Sequence, residues 1–199
     1  MKFKIAICVL LTIFQYSISN AQRDEEKKGG WKTDHLYAGT GVNLGFSNGF
    51  IVGLNPEVGY SLNKFLDAGI ALNYSYITQR SQFSDASYRY RALGAGPYLR
   101  FWPVSMIFIG GQFEANSITY KEIMNDVTTY KEKNSANSLL VGIGYGSRII
   151  GQSQFFTSIM IDVLNDENTP YRDQYDRVLP VFRTGFLFYF GNKGRRERY

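Results

Sequence analysis

From Leu36 onward the chain alternates apolar and small or polar residues with a period of two, and helical spacing is absent. The segment 66–77 shows this best: Leu66, Ala68, Ile70, Leu72, Tyr74 and Tyr76 point one way, and Asp67, Gly69, Ala71, Asn73 and Ser75 the other. The same alternation recurs seven more times. It begins at Leu36, Val52, Leu93, Ile107, Leu139, Phe155 and Phe182 and ends at Phe46, Tyr60, Phe101, Ala115, Tyr145, Val163 and Phe190. Across the runs the second face is mostly small or polar, with glycine frequent, as in Gly142, Gly144 and Gly146 or Gly94, Gly96 and Arg100. The pattern predicts eight strands, with Asn48-Gly49 as a hairpin turn after the first.

The connections alternate in length. Those after strands two, four and six are short (61–65, 102–105 and 150–153), whereas those after strands three, five and seven are long and polar (78–87, 117–136 and 165–177). Short turns at one end and long loops at the other are the mark of a bacterial outer-membrane barrel. The strands are also long enough to cross a bilayer, which takes about 9–11 tilted residues. The predicted fold is therefore an all-β, eight-stranded antiparallel up-and-down transmembrane β-barrel. An even strand number places both ends of the barrel in the periplasm.

Which face points outward decides the class, because a soluble ligand-binding barrel alternates in the opposite sense. A soluble barrel would carry its bulky residues inside and show water a wall of glycine. Soluble sheets instead dress the outer face with Lys, Glu and Thr, since glycine weakens a strand. A narrow eight-stranded lumen, by contrast, has room for Gly, Ala, Ser and a few interlocked polar groups. The bulky face is thus predicted to meet lipid. Tyr74, Tyr76, Tyr88 and Tyr90 toward the long loops, and Tyr60, Phe65, Phe101, Trp102 and Phe190 toward the short turns, form the expected interfacial girdles.

Composition adds the address. Lys2 and Lys4, the ten-residue apolar run 5–14 and Ser19-Asn20-Ala21 read as a signal peptide cleaved after Ala21. Residues 22–34 then form a flexible periplasmic lead-in, 35–190 the barrel, and 191–199 a basic tail with Lys193, Arg195, Arg196 and Arg198. Cys8 lies in the leader, so the mature chain has no thiol, and its net charge falls from +5 to +3. That balance, with export, argues against nucleic acid. The expected location is the outer membrane of a Gram-negative cell, with lipid as the first partner.

Two sequence stretches are specific. Asn55-Pro56-Glu57-Val58-Gly59-Tyr60, followed by a turn and Leu66-Asp67-Ala68-Gly69-Ile70, resembles the small outer-membrane β-barrel domain family. So do Gly94-Ala95-Gly96-Pro97-Tyr98-Leu99-Arg100-Phe101 and the aromatic last strand ending at Phe190, and the architecture is similar to OmpA/OmpX-type barrels. The resemblance implies that the barrel assembly machinery reads that last strand, although here residues 191–199 follow the terminal aromatic.

The inward face carries Arg100, Arg148 and Arg183 with Glu57, Asp67, Glu114 and Asp162. Buried charges persist only when paired. Two salt-bridged layers are therefore expected: Arg100, Arg148, Asp67 and Glu57 toward the periplasm, and Arg183, Glu114 and Asp162 toward the outside. They are read as a structural plug, with a narrow porin-like path for ions or small solutes as the alternative. His35 sits at the periplasmic entry as a solvated residue, and no Ser/His/Asp grouping is visible, so no enzyme is expected. Asp166, Glu167, Asp173 and Asp176 lack calcium-loop spacing and read as a solvated loop, and no cofactor or metal is expected. Finally, Thr119-Tyr120-Lys121-Glu122 recurs as Thr129-Tyr130-Lys131-Glu132 around Asn125-Asp126. This predicts a hairpin above the membrane, with Tyr120, Lys121, Tyr130 and Lys131 as interaction residues. Residues 74–79 and 86–91 are expected to do the same for strands three and four, and an open sheet edge there could recruit a partner by strand addition.

Overall fold

The computed structural model describes residues 32–47, 49–80, 86–124, 127–164, 166–172 and 177–191. The expected signal peptide, most of the lead-in, the basic tail, Asn48, Asp173 and Asp176 lie outside them. A short 3-10 turn, Thr33–His35, ends the lead-in that was expected to be wholly flexible.

Eight strands follow: β1 (Leu36–Ser47), β2 (Gly49–Asn63), β3 (Leu66–Arg80), β4 (Ala86–Val104), β5 (Ile107–Met124), β6 (Val127–Gly146), β7 (Gln154–Asp162) and β8 (Val181–Tyr189). Each pairs antiparallel with its sequence neighbour, and β1 pairs with β8 from Tyr37↔Tyr189 to Leu44↔Phe182, so the sheet closes. Closure satisfies the backbone within the wall, which is the condition for strands to cross hydrocarbon.

The two faces invert the soluble pattern. Leu72, Leu99, Ile143 and Phe186 are exposed and Ile70 is 64% exposed, while Glu57, Asp67, Asn73, Glu114, Asp162 and Arg183 are buried. In water such a surface would be an aggregation hazard; against acyl chains it is the favourable one. The barrel is transmembrane, with its polar groups inside. Glycine makes that interior fit, because a Cβ at Gly144 would run into the Phe108 ring and one at Gly59 into the hydroxyls of Tyr37 and Tyr98.

The wall is uneven. β4, β5 and β6 run for 19, 18 and 20 residues, and β7 and β8 for 9 each. The stretches expected as long loops after strands three and five are mostly β-structure: β3 and β4 stay paired to Arg80↔Ser87, and β5 and β6 to Met124↔Val127. The part of the wall built from β4, β5 and β6 therefore rises highest at the outer mouth.

Candidate functional site

The lumen is built in two charged layers separated by an aromatic one. In the lower layer, toward the short turns, the Arg100 guanidinium grips both oxygens of Glu57 at 2.7 and 2.6 Å. Its Cζ lies 4.6 Å from the ring centroids of both Tyr98 and Phe156. A planar, weakly hydrated cation suits this slot, where a lysine would lose both the fork and the stacking.

Arg148 departs from its expected position on strand six. It lies in the turn after β6, yet it reaches under the barrel to Asp67 Oδ1 at 2.5 Å, the Asn63 carbonyl at 2.8 Å and the Lys64 carbonyl. It therefore pins two periplasmic turns together. Asp67 also accepts from Ser61 Oγ at 2.7 Å and from the Trp102 indole at 2.8 Å. Trp102 is thus corrected from girdle to lumen: it is 1% exposed and packs on Phe108 at 4.7 Å. Parity explains the move, since Trp102 is two residues from inward-facing Arg100 and continues the strand rather than opening a turn. His35, read as solvated, is half-buried, with Nδ1 2.6 Å from the Ser61 carbonyl.

Glu114 organises the upper layer. Its carboxylate takes Arg183 Nη2 at 2.8 Å, Gln112 Nε2 at 3.0 Å, Asn73 Nδ2 at 3.2 Å and the Tyr171 hydroxyl at 2.6 Å. Arg183 also donates to Gln112 Oε1 at 2.5 Å. Asn43 and Asn55 each donate to Asn73 Oδ1 at 3.1 Å, carrying the network across to β1 and β2. Between the layers, a void lined by Tyr98, Arg100, Phe108, Gln112, Phe156 and Arg183 measures about 10 Å³, room for about one water.

Asp162 does not join Arg183. It accepts from Thr169 Oγ1 at 2.6 Å and from the amides of Leu139 and Leu164 at 2.9 and 3.1 Å. This folds the segment after β7 into the outer mouth, so the expected solvated loop is in part a cap, with Tyr171 4% exposed. In the same segment the Asp166 carboxylate accepts from the amides of Asn137 and Asn168. An aromatic between a threonine and a basic residue signals such a cap only weakly, since loop tyrosines are common. Replacing Tyr171 by Phe keeps the filling but removes the donor to Glu114. A loss of about 1–3 kcal/mol is expected, read from the urea midpoint in lipid vesicles.

The four hairpin residues separate by face. The Tyr120 ring lies 4.9 Å from Tyr90 and 6.2 Å from Tyr130, on the side continuous with the lumen. Lys121 and Lys131 stand directly opposite each other on the outward side. Tyr130 donates to Glu132 at 3.1 Å, which raises its pKa.

No protein-family model and no curated protein matches the chain. Among solved structures it is similar to Neisserial surface protein A, at 12% identity and a TM-score of 0.49 over 78% of this chain and 96% of that one. Ail, the attachment invasion locus protein of Yersinia pestis, crystallised with the heparin analogue sucrose octasulfate, gives 10% identity and a TM-score of 0.49 over 77% and 96%. The N-terminal β-barrel domain of Pseudomonas aeruginosa OprF gives 11% and 0.42 over 76% and 96%. The fold itself rests on the strand register, and that register makes the chain a closed eight-stranded antiparallel barrel.

Proposed function

We propose that this barrel is a surface-interaction protein with a non-conducting lumen, whose protruding sheet offers its β6 edge to a partner strand. The observation that carries the reading is the mismatch between β6 and β7. β6 begins at Val127, but its pairing with β7 covers only Leu140↔Asp162 to Gly146↔Phe156. Among the described residues, the stretch 127–136 therefore has strand neighbours on its β5 side alone. A flat unpaired edge is a template for another strand, and its main-chain groups supply affinity without sequence matching. Three buried ion pairs and the Tyr171 hydroxyl on Glu114 support the non-conducting reading, because they fill the lumen with paired groups.

Two measurements test this. Deleting residues 121–131 from the displayed protein is expected to abolish attachment of cells to one another and to mammalian cells, while the folded barrel still migrates faster on unboiled gels. Unchanged attachment overturns the edge reading. In planar bilayers the intact protein is expected to give no sustained conductance; stable large openings would point to a porin-like channel instead.

A further inference from the structure

The outward face of the protruding sheet concentrates positive charge. Ala92, Ile118 and Ala136 point toward the lumen side and are buried, so by alternation Arg89, Arg91, Lys121, Lys131 and Lys133 all share the opposite face. The register aligns them in two rows: Arg89↔Lys121↔Lys131, and Arg91↔Thr119↔Lys133. The acids of the same stretches, Glu122 and Glu132, have the other parity. Among the described residues none of the five cations makes an ion pair.

Like charges set directly opposite each other across strands are unfavourable, and a row of three is a costly arrangement unless an anion sits over it. A pocket of about 170 Å³ opens there, with Tyr76, Arg89, Arg91 and Lys121 among the residues that line it. Height identifies the anion. One pleat below Arg91 on the same face is Leu93, and one pleat below Tyr76 is Tyr74, both exposed and part of the lipid-facing surface. The cations thus begin where acyl chains give way to headgroups.

The geometry points to a binding site for the phosphate groups of the anionic glycolipid in the surrounding outer leaflet, held by Arg89, Arg91, Lys121, Lys131 and Lys133. Arginine forks suit phosphate oxygens, and clustered cations at headgroup height hold anionic lipid. The inference rests on the membrane reading but not on the adhesion reading, because it uses the sheet's outward face rather than its edge.

The test uses the full-length protein in nanodiscs of phosphatidylcholine doped with lipopolysaccharide, either phosphorylated or enzymatically dephosphorylated, with retained lipid counted by native mass spectrometry. The native protein is expected to retain the phosphorylated form at least about tenfold better than the dephosphorylated form. Replacing all five cations by Gln is expected to erase that preference. Lys121→Gln with Lys131→Gln, which removes most of one row, gives an intermediate loss and carries the test if the fivefold variant does not fold. Faster migration of the unboiled variants shows that the barrel itself stands. Equal retention by native and substituted proteins overturns the proposal. So does capture of soluble sulfated glycan with no discrimination between the two lipids, which would assign the face to a ligand outside the membrane.

Discussion

Replacing Glu114 by Leu is expected to lower the unfolding free energy by about 3–5 kcal/mol, the range for removing one partner of a buried ion pair. The carboxylate is fully buried and receives donors from β3, β5, β8 and the outer cap, so a single change removes the shared acceptor of four groups at once. The most costly orphan is Arg183, a buried guanidinium whose only anion is Glu114 among the described residues. Urea unfolding in lipid vesicles, followed by gel migration, measures the loss. Glu114→Gln keeps an acceptor and should fall between. Combining Glu114→Leu with Arg183→Leu should recover part of the loss, since an apolar pair leaves no charge behind. A single-variant loss below 1 kcal/mol would mean that the upper layer is not what holds the strands in place.

Ile70→Arg should cost about 2–4 kcal/mol in a bilayer, the price of a cation near the midplane of a transmembrane barrel. Ile70 lies midway along the lipid-facing row of β3 and is 64% exposed. On a soluble protein the same substitution at so exposed a position would be close to neutral. The pair of outcomes therefore separates the two orientations of the wall. As a control, Thr119→Gln on the protruding sheet is expected to change stability by less than about 0.5 kcal/mol, because that position is outside the apolar band and the row Arg91, Thr119 and Lys133 gains no third cation.

Strand number, direction and the lipid-facing side were legible because period two leaves no freedom: once Ile70 faces lipid, Asp67 and Asn73 must face inward. The same parity reaches Trp102, Phe108 and Phe156, but at Trp102 the expectation of an interfacial aromatic overrode the count. Charge identity was legible and charge partnership was not. Arg183 meets Glu114 rather than Asp162, and that choice depends on register between strands far apart in the chain, which composition does not encode. Continuing the period of strand six places Arg148 inward although it lies in the turn beyond that strand, and Tyr171 lay beyond parity altogether. Both sit in connecting segments, where no period constrains the side chain, and each adds a donor to a buried carboxylate, Arg148 to Asp67 and Tyr171 to Glu114. The extended sheet was readable from the Thr-Tyr-Lys-Glu repeat. The division of that repeat into tyrosines on one face and lysines on the other follows from the strand continuing unbroken through it.

The uneven wall and the single β1–β8 seam bear on how the barrel forms. Seven of the eight pairings join strands adjacent in sequence, and all but the β7–β8 pairing close short connections, which costs little chain entropy. The eighth brings Tyr37 against Tyr189 from opposite ends of the barrel sequence, with ring centroids 5.1 Å apart and the Phe190 amide on the Leu36 carbonyl. Nearly all of the non-local ordering thus falls on one step, and the strands flanking it include the shortest in the barrel. Hairpins can assemble in any order, but the polar lumen has no sealed interior until the two ends meet. The Tyr37–Tyr189 contact and the hydrogen bond from the Phe190 amide to Leu36 therefore exist only once the sheet has closed, and with them the enclosure of its charged inner face.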